Sequence, residues 1–130
     1  MYDLSFIKTI RLCTALLCIS PIASMAEAPT PEALEFFESK VRPILVENCT
    51  KCHGTDKQKS GLRLDTATHF AKGGESGPVI NAKKPTASRL LNVIEYRGKI
   101  KMPEDKKLPD AQIEIIRKWV TMGAPWPEEA

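Results

Sequence analysis

The sequence predicts an all-α domain, and three observations carry that reading. Apolar residues recur at helical spacing near both ends of the chain, helix-capping residues precede those runs, and no segment alternates long enough to propose a strand. With 130 residues there is room for one domain and not two.

The first 26 residues stand apart from that domain. Lys8 and Arg11 give a basic start, and Leu12 to Ile19 is an apolar run too short to cross a bilayer comfortably. Ser24-Met25-Ala26 is a small-x-small cleavage signal. Residues 1–26 therefore read as a secretory signal peptide and 27–130 as the domain, with an uncleaved N-terminal anchor as the alternative. A lipoprotein reading is weaker, because Leu17 precedes Cys18 where that cleavage prefers a small residue. Cleavage removes Cys13 and Cys18. The thiols then left, Cys49 and Cys52, suit an oxidising compartment, so the expected location is periplasmic or secreted, with no stable membrane span after cleavage.

Nineteen basic residues stand against sixteen acidic ones. That balance is far from the strongly basic footprint of a nucleic-acid binder, and nucleic acid is not an expected partner.

Within the domain, Thr30 is a good N-cap, Pro31 suits the first helical position and Glu32 favours the positive end of the dipole. Leu34, Phe37, Val41, Ile44 and Leu45 form one apolar face. Pro43 removes a donor inside that pattern and disfavours helical angles at Arg42, so a kink or a break into two segments is expected, the second leading into Cys49. Residues 54–61 are a polar loop. Leu62 and Leu64 are expected to fold over a cofactor edge. Asp65 or Thr66 caps a short helix through His69 and Phe70, stopped by Gly73-Gly74. After a loop at 75–84, Pro85 opens a helix with Leu90, Leu91 and Ile94 inward, ended by Gly98. The stretch from Gly98 to Pro109 is polar and bracketed by prolines, which excludes a regular helix or central strand. A last helix runs from about Asp110 to Met122 with Ile113, Ile116, Trp119 and Val120 inward and Gly123 as its stop.

Chemistry concentrates at Cys49-Thr50-Lys51-Cys52-His53, a C-x-x-C-H pattern. Two thiols at this spacing can reach the two vinyl groups on one edge of a porphyrin, and the adjacent imidazole then falls under the iron, which is the pattern of covalent c-type haem attachment. The competing readings are a redox dithiol, which should sit near a βαβ pattern that is missing here, and a zinc site. Zinc would need Cys49, Cys52, His53 and His69, with Cys52 and His53 a strained adjacent pair. With haem as part of the core, the apo chain is expected to be poorly ordered, since a domain this small buries only about two thirds of its unfolded surface.

The order of these parts resembles a class I cytochrome c, and more closely the planctomycete-type cytochrome c domain. Val41-Arg42-Pro43-Ile44-Leu45, Cys49 to Gly54, Ser60-Gly61-Leu62-Arg63-Leu64-Asp65, Lys101-Met102-Pro103, Trp119 and Gly123-Ala124-Pro125-Trp126-Pro127 carry the likeness, which spans nearly all of the mature chain. The resemblance implies a cytochrome c-like fold, with N- and C-terminal helices crossing and a loop-rich middle with short helices around one haem. It implies that Cys49 and Cys52 form the thioethers of one covalent haem c, that His53 is the proximal iron ligand and that Met102 is the distal one. His/Met ligation fills both axial positions and argues for electron transfer and against catalysis. The expected function is thus a single-electron carrier, not an enzyme. The alternatives are a haem-bearing subunit docked to a larger oxidoreductase, or an open-site haem protein acting as sensor or enzyme.

His69 is the rival for the sixth position, while Met122 is expected to pack in the core. Trp119 with Phe36 and Phe37 reads as core where the first and last helices cross. Arg63 and Arg97 are candidates for pairing with haem propionates. Lys57, Lys59, Lys99, Lys101, Lys106 and Lys107 would form a positive rim that steers an acidic redox protein, unless Glu104 and Asp105 dampen the field. Oligomeric state is not legible.

Overall fold

The computed structural model describes residues 27–129. The signal peptide expected over 1–26, with Cys13 and Cys18, lies outside the described residues. Those residues fold into five α-helices and contain no strand, only the isolated bridges His53–Gln58 and Gly74–Gly77. No described helix is long and apolar enough to cross a membrane.

Helix α1 (Pro31–Phe36) starts as its sequence dictates: the Thr30 hydroxyl accepts from the Ala33 N–H at 3.2 Å, and Pro31 occupies the first turn. Beyond Phe36 the helical path continues into a second α segment leading to Cys49, as expected, but the irregularity lies ahead of Pro43 and the backbone is not interrupted. Phe37–Val41 forms one wide turn, in which the Arg42 N–H reaches back five residues to the Phe37 carbonyl, and α2 (Arg42–Asn48) continues from it. Arg42 keeps helical angles, φ −53 and ψ −46, against the expectation that Pro43 would displace it. The wide turn takes up the steric conflict instead. A π-type turn carries one residue more than an α-turn, which makes room ahead of the proline ring without interrupting the helix.

That extra residue also sets which side chains face inward. Phe37, Val41, Ile44 and Leu45 are buried, whereas Leu34 is only half-buried and Ala33 takes the inward place. Phe37 meets Trp119 of the last helix, α5 (Asp110–Thr121), with ring centroids 5.6 Å apart, so the first and last helices pack together as expected. Phe70 and Trp126 complete a four-ring cluster; Phe37 lies 4.4 Å from Trp126 and Phe70 5.2 Å from Trp119. The buried Trp119 indole donates to the Pro125 carbonyl at 2.7 Å, which satisfies its one polar atom. Phe36 is half-buried, with the Lys118 ammonium 4.8 Å from its ring centre.

Helix α5 closes with Gly123 at φ +93. The Ala124 N–H returns to the Trp119 carbonyl and the Gly123 N–H to the Val120 carbonyl, a Schellman end. Met122 sits just beyond the helix and is 41% exposed, a correction to its expected core position. Two residues from Val120 is about 200° around a helix, the opposite face.

The middle segments are short. Helix α3 (Ala67–Lys72) is capped by Thr66, whose hydroxyl accepts from the His69 N–H, and Gly73 ends it at φ +73. The helix expected from Pro85 to Gly98 is shorter: a tight turn at Pro85–Ala87 precedes α4 (Arg89–Ile94). Its stop comes before Gly98, because Tyr96 at φ +61 takes the left-handed position and the Arg97 N–H returns to the Asn92 carbonyl.

Candidate cofactor cleft

Helix α2 delivers the motif. The N–H groups of Cys49 and Thr50 both bond the Leu45 carbonyl, and the N–H groups of Cys52 and His53 both bond that of Cys49, at 3.1 and 2.9 Å. The chain therefore keeps winding through the motif and places both thiols and the imidazole on one wall. Gly54 is required directly after it, since a Cβ there would lie 2.3 Å from the Thr50 carbonyl oxygen. The return segment is tied to this wall by its backbone: Lys59 N–H to the Cys52 carbonyl at 3.0 Å, and Leu64 N–H to that of His53 at 2.8 Å.

Helix α4 and the loop after it build the opposite wall. The Met102 N–H donates to the Val93 carbonyl at 3.0 Å, and the Tyr96 hydroxyl donates to the Pro103 carbonyl. Between the walls lies a cleft of about 670 Å³, lined by Cys49, Cys52, His53 and Met102 together with apolar side chains such as Leu62, Leu90, Val93 and Leu108. All four candidate site residues thus share one cavity, and its size is in the range of cofactor sites.

His69 does not line it. Its Nδ1 lies 2.5 Å from the Thr66 hydroxyl and its Nε2 3.4 Å from Arg63 Nη1. Among the described residues no three His, Cys, Asp or Glu side chains gather closely enough to hold a metal ion, so the zinc tetrad with His69 is not assembled.

A flat, mainly apolar macrocycle fits this cleft on the chemistry of its donors. Cys49 and Cys52 are unbridged thiols, and burial pushes the Cys49 thiol up to about 11. Neither thiol is tied up in a disulfide, so both are available for carbon–sulfur bonds. The Nδ1 atom of His53 is buried with no protein partner, so no hydrogen bond to protein competes for that ring nitrogen.

Neither arginine expected to hold a cofactor carboxylate is at the cleft. Arg63 forks onto Asp65, Nε to Oδ1 at 2.9 Å and Nη2 to Oδ2 at 2.6 Å, and holds the Asp65 carboxyl below the usual carboxylate range. Arg97 pairs with Glu95, which also meets Arg117 at 2.7 Å. The arginine on the cleft wall is Arg89, whose Nη1 donates to the Ser76 carbonyl at 2.6 Å. Among the described arginines it is the one without a carboxylate partner. Sequence reasoning missed it, although its place one turn before Val93 is a usable signal. Of the lysines expected around the site, Lys59, Lys106 and Lys107 line the cleft, while Lys57, Lys99 and Lys101 do not. A second cavity of about 350 Å³ lies behind the motif between Val46, Gly54, Asp65 and Trp126, and has no thiol, imidazole or thioether on its walls.

Residues 49–105 match the family model described as planctomycete cytochrome C. No curated protein and no solved structure matches the chain.

Proposed function

Because the chain carries a planctomycete-type cytochrome c domain, a haem-binding electron-transfer module, we propose that it is a periplasmic or secreted carrier of single electrons. One haem c would be held by thioether bonds from Cys49 and Cys52, with His53 and Met102 as the axial ligands. The observation that carries this reading is the meeting of all four residues in one cleft, with His69 outside it.

The bound haem would supply an iron centre that gains and loses one electron. The chain supplies everything that tunes and isolates that centre. His53 offers an imidazole held on the wound end of α2. Met102 offers a soft neutral thioether, which favours ferrous iron and raises the reduction potential above that of two imidazoles. The apolar walls exclude water, which penalises the additional charge of the ferric state. Arg89 presents guanidinium donors suited to a propionate carboxylate. With His53 and Met102 both bound to the iron, no coordination site would be left for a substrate.

Secretion rests on the leader composition, and residues 27–130 are then the mature domain. The partner is an acidic redox protein that docks where Lys106 and Lys107 flank the cleft.

The test is an optical spectrum of the mature protein, oxidised and reduced, before and after Met102→Ala, with a pyridine haemochrome to report covalent attachment. A c-type spectrum whose sulfur-to-iron band at long wavelength vanishes in the variant is expected. Indifference to the substitution would leave an open-site sensor or enzyme as the better reading. Absence of haem would return Cys49 and Cys52 to thiol or zinc chemistry.

A further inference from the structure

The two walls of the cleft belong to separate stretches of chain, and the side chains at its mouth connect them. Lys59, whose N–H is bonded to the Cys52 carbonyl, extends its ammonium to the Glu104 carboxylate at 3.0 Å. Glu104 is two residues beyond Met102, and both members of the pair line the cleft. Forty-five positions of sequence separate them. Among the described residues, no other hydrogen bond or ion pair joins the 54–61 turn to the 98–109 loop. The remaining ties of that loop run to α4, from Met102 to Val93 and from Pro103 to Tyr96, and to the start of α5, where Lys107 meets Asp110 and the Gln112 and Ile113 N–H groups bond the Pro109 carbonyl; none of them reaches the motif wall. The Glu104 carboxylate also holds the Lys59 ammonium above the usual lysine range, as expected of a formed pair.

We infer that Lys59 and Glu104 are a positioning pair for the distal ligand, a strap across the cleft mouth that limits how far the Met102 loop swings from the motif wall. The inference rests on the proposed His53/Met102 ligation and goes beyond it: the pair sets how readily Met102 leaves the iron and how readily an outside ligand replaces it. Both side chains are partly exposed, 40% for Lys59 and 64% for Glu104, so the effect is moderate and sensitive to salt. An outside ligand binds only the fraction of molecules whose loop has swung open, and its apparent affinity scales with that fraction.

The experiment is an imidazole titration of the ferric holoprotein at fixed pH, followed by loss of the sulfur-to-iron band. It compares wild type with Lys59→Gln, Glu104→Gln and the exchanged pair Lys59→Glu/Glu104→Lys. Each single variant is expected to bind imidazole about two- to fivefold more tightly than wild type, the range open to an exposed pair. The exchanged pair returns toward wild type, and the gap closes in concentrated salt. Single variants that titrate as wild type does, or an exchanged pair that behaves like the singles, overturn the strap. A wild-type spectrum that lacks the sulfur band overturns the ligation itself, and with it the strap. The two failures are therefore distinguishable.

Discussion

The Met102 N–H donates to the Val93 carbonyl across 3.0 Å, so the loop that carries the thioether hangs from the C-terminal turn of α4. One residue on, the Pro103 carbonyl accepts from the Tyr96 hydroxyl, and Tyr96 itself occupies the left-handed position that ends α4. Tyr96→Phe removes only the hydroxyl. On the proposed ligation, the sulfur-to-iron band of the variant is lost at lower urea than in wild type, with the loop weakened by about 0.5–1.5 kcal/mol. An unchanged midpoint for that band would show that the hydroxyl does not steady Met102.

Arg89 gives a prediction about charge. Removing a cation from the wall of the haem cleft favours ferric iron, so Arg89→Gln lowers the reduction potential, whereas Arg89→Lys retains most of it. Arg97→Gln, which alters a cation paired to Glu95 away from the cleft, shifts the potential less. A redox titration of the three variants decides this, and equal shifts for Arg89→Gln and Arg97→Gln would remove Arg89 from the cofactor's surroundings.

Gly54 gives a prediction about shape. A methyl group there collides with the Thr50 carbonyl at 2.3 Å, and backbone cannot yield as a flexible side chain can. Gly54→Ala is expected to cost about 1–3 kcal/mol of stability and to lower the yield of covalently loaded protein. Urea unfolding that matches wild type would mean the motif turn relaxes freely.

Asp65 gives a prediction about pH. The Arg63 fork first, and the Thr55 hydroxyl after it, depress the Asp65 carboxyl, so its folded value lies below its unfolded one. Its stabilisation is then present in full above about pH 4, the unfolded value, and is lost as pH falls through the lower folded value. Asp65→Asn is expected to destabilise the fold modestly at pH 7, since Arg63 is left without its partner. The gap to wild type narrows in urea melts taken below pH 4. A gap of constant size across that range would mean the ion pair contributes nothing to it.

Much of the helical scaffold was legible because local chemistry decides it. Thr30 and Thr66 both cap helices, the inward faces of α4 and α5 follow helical period, and the proline-bracketed stretch around Met102 is irregular. Where the reading failed, the deciding contact was a side-chain orientation that spacing does not encode, or the competing backbone geometry was finely balanced. Arg63 and Arg97 looked free until Asp65 and Glu95 were seen against them. Met122 looked like core because one residue of helix end decides its face. The α4 stop fell at Tyr96, a residue type that rarely adopts a left-handed angle. Cys49, Cys52 and His53 were singled out by their motif and Met102 by the resemblance, but their meeting depends on the backbone ties from Leu64 to His53 and from Met102 to Val93, which no local pattern encodes.

The wide turn at Phe37–Val41 has a consequence for how this chain can vary. An α-turn holds about 3.6 residues, so the wide turn absorbs one residue more within a single turn, between the part of the first helix that grips α5 and the part that ends at Cys49. Deleting one residue there would let the segment close to ordinary α turns, which keeps the thiols on their wall but brings the Pro43 ring against the carbonyl four residues before it. Exposed Ser39 and Lys40 are therefore free to vary in identity, whereas the extra residue is what lets Pro43 sit inside a continuous helical path.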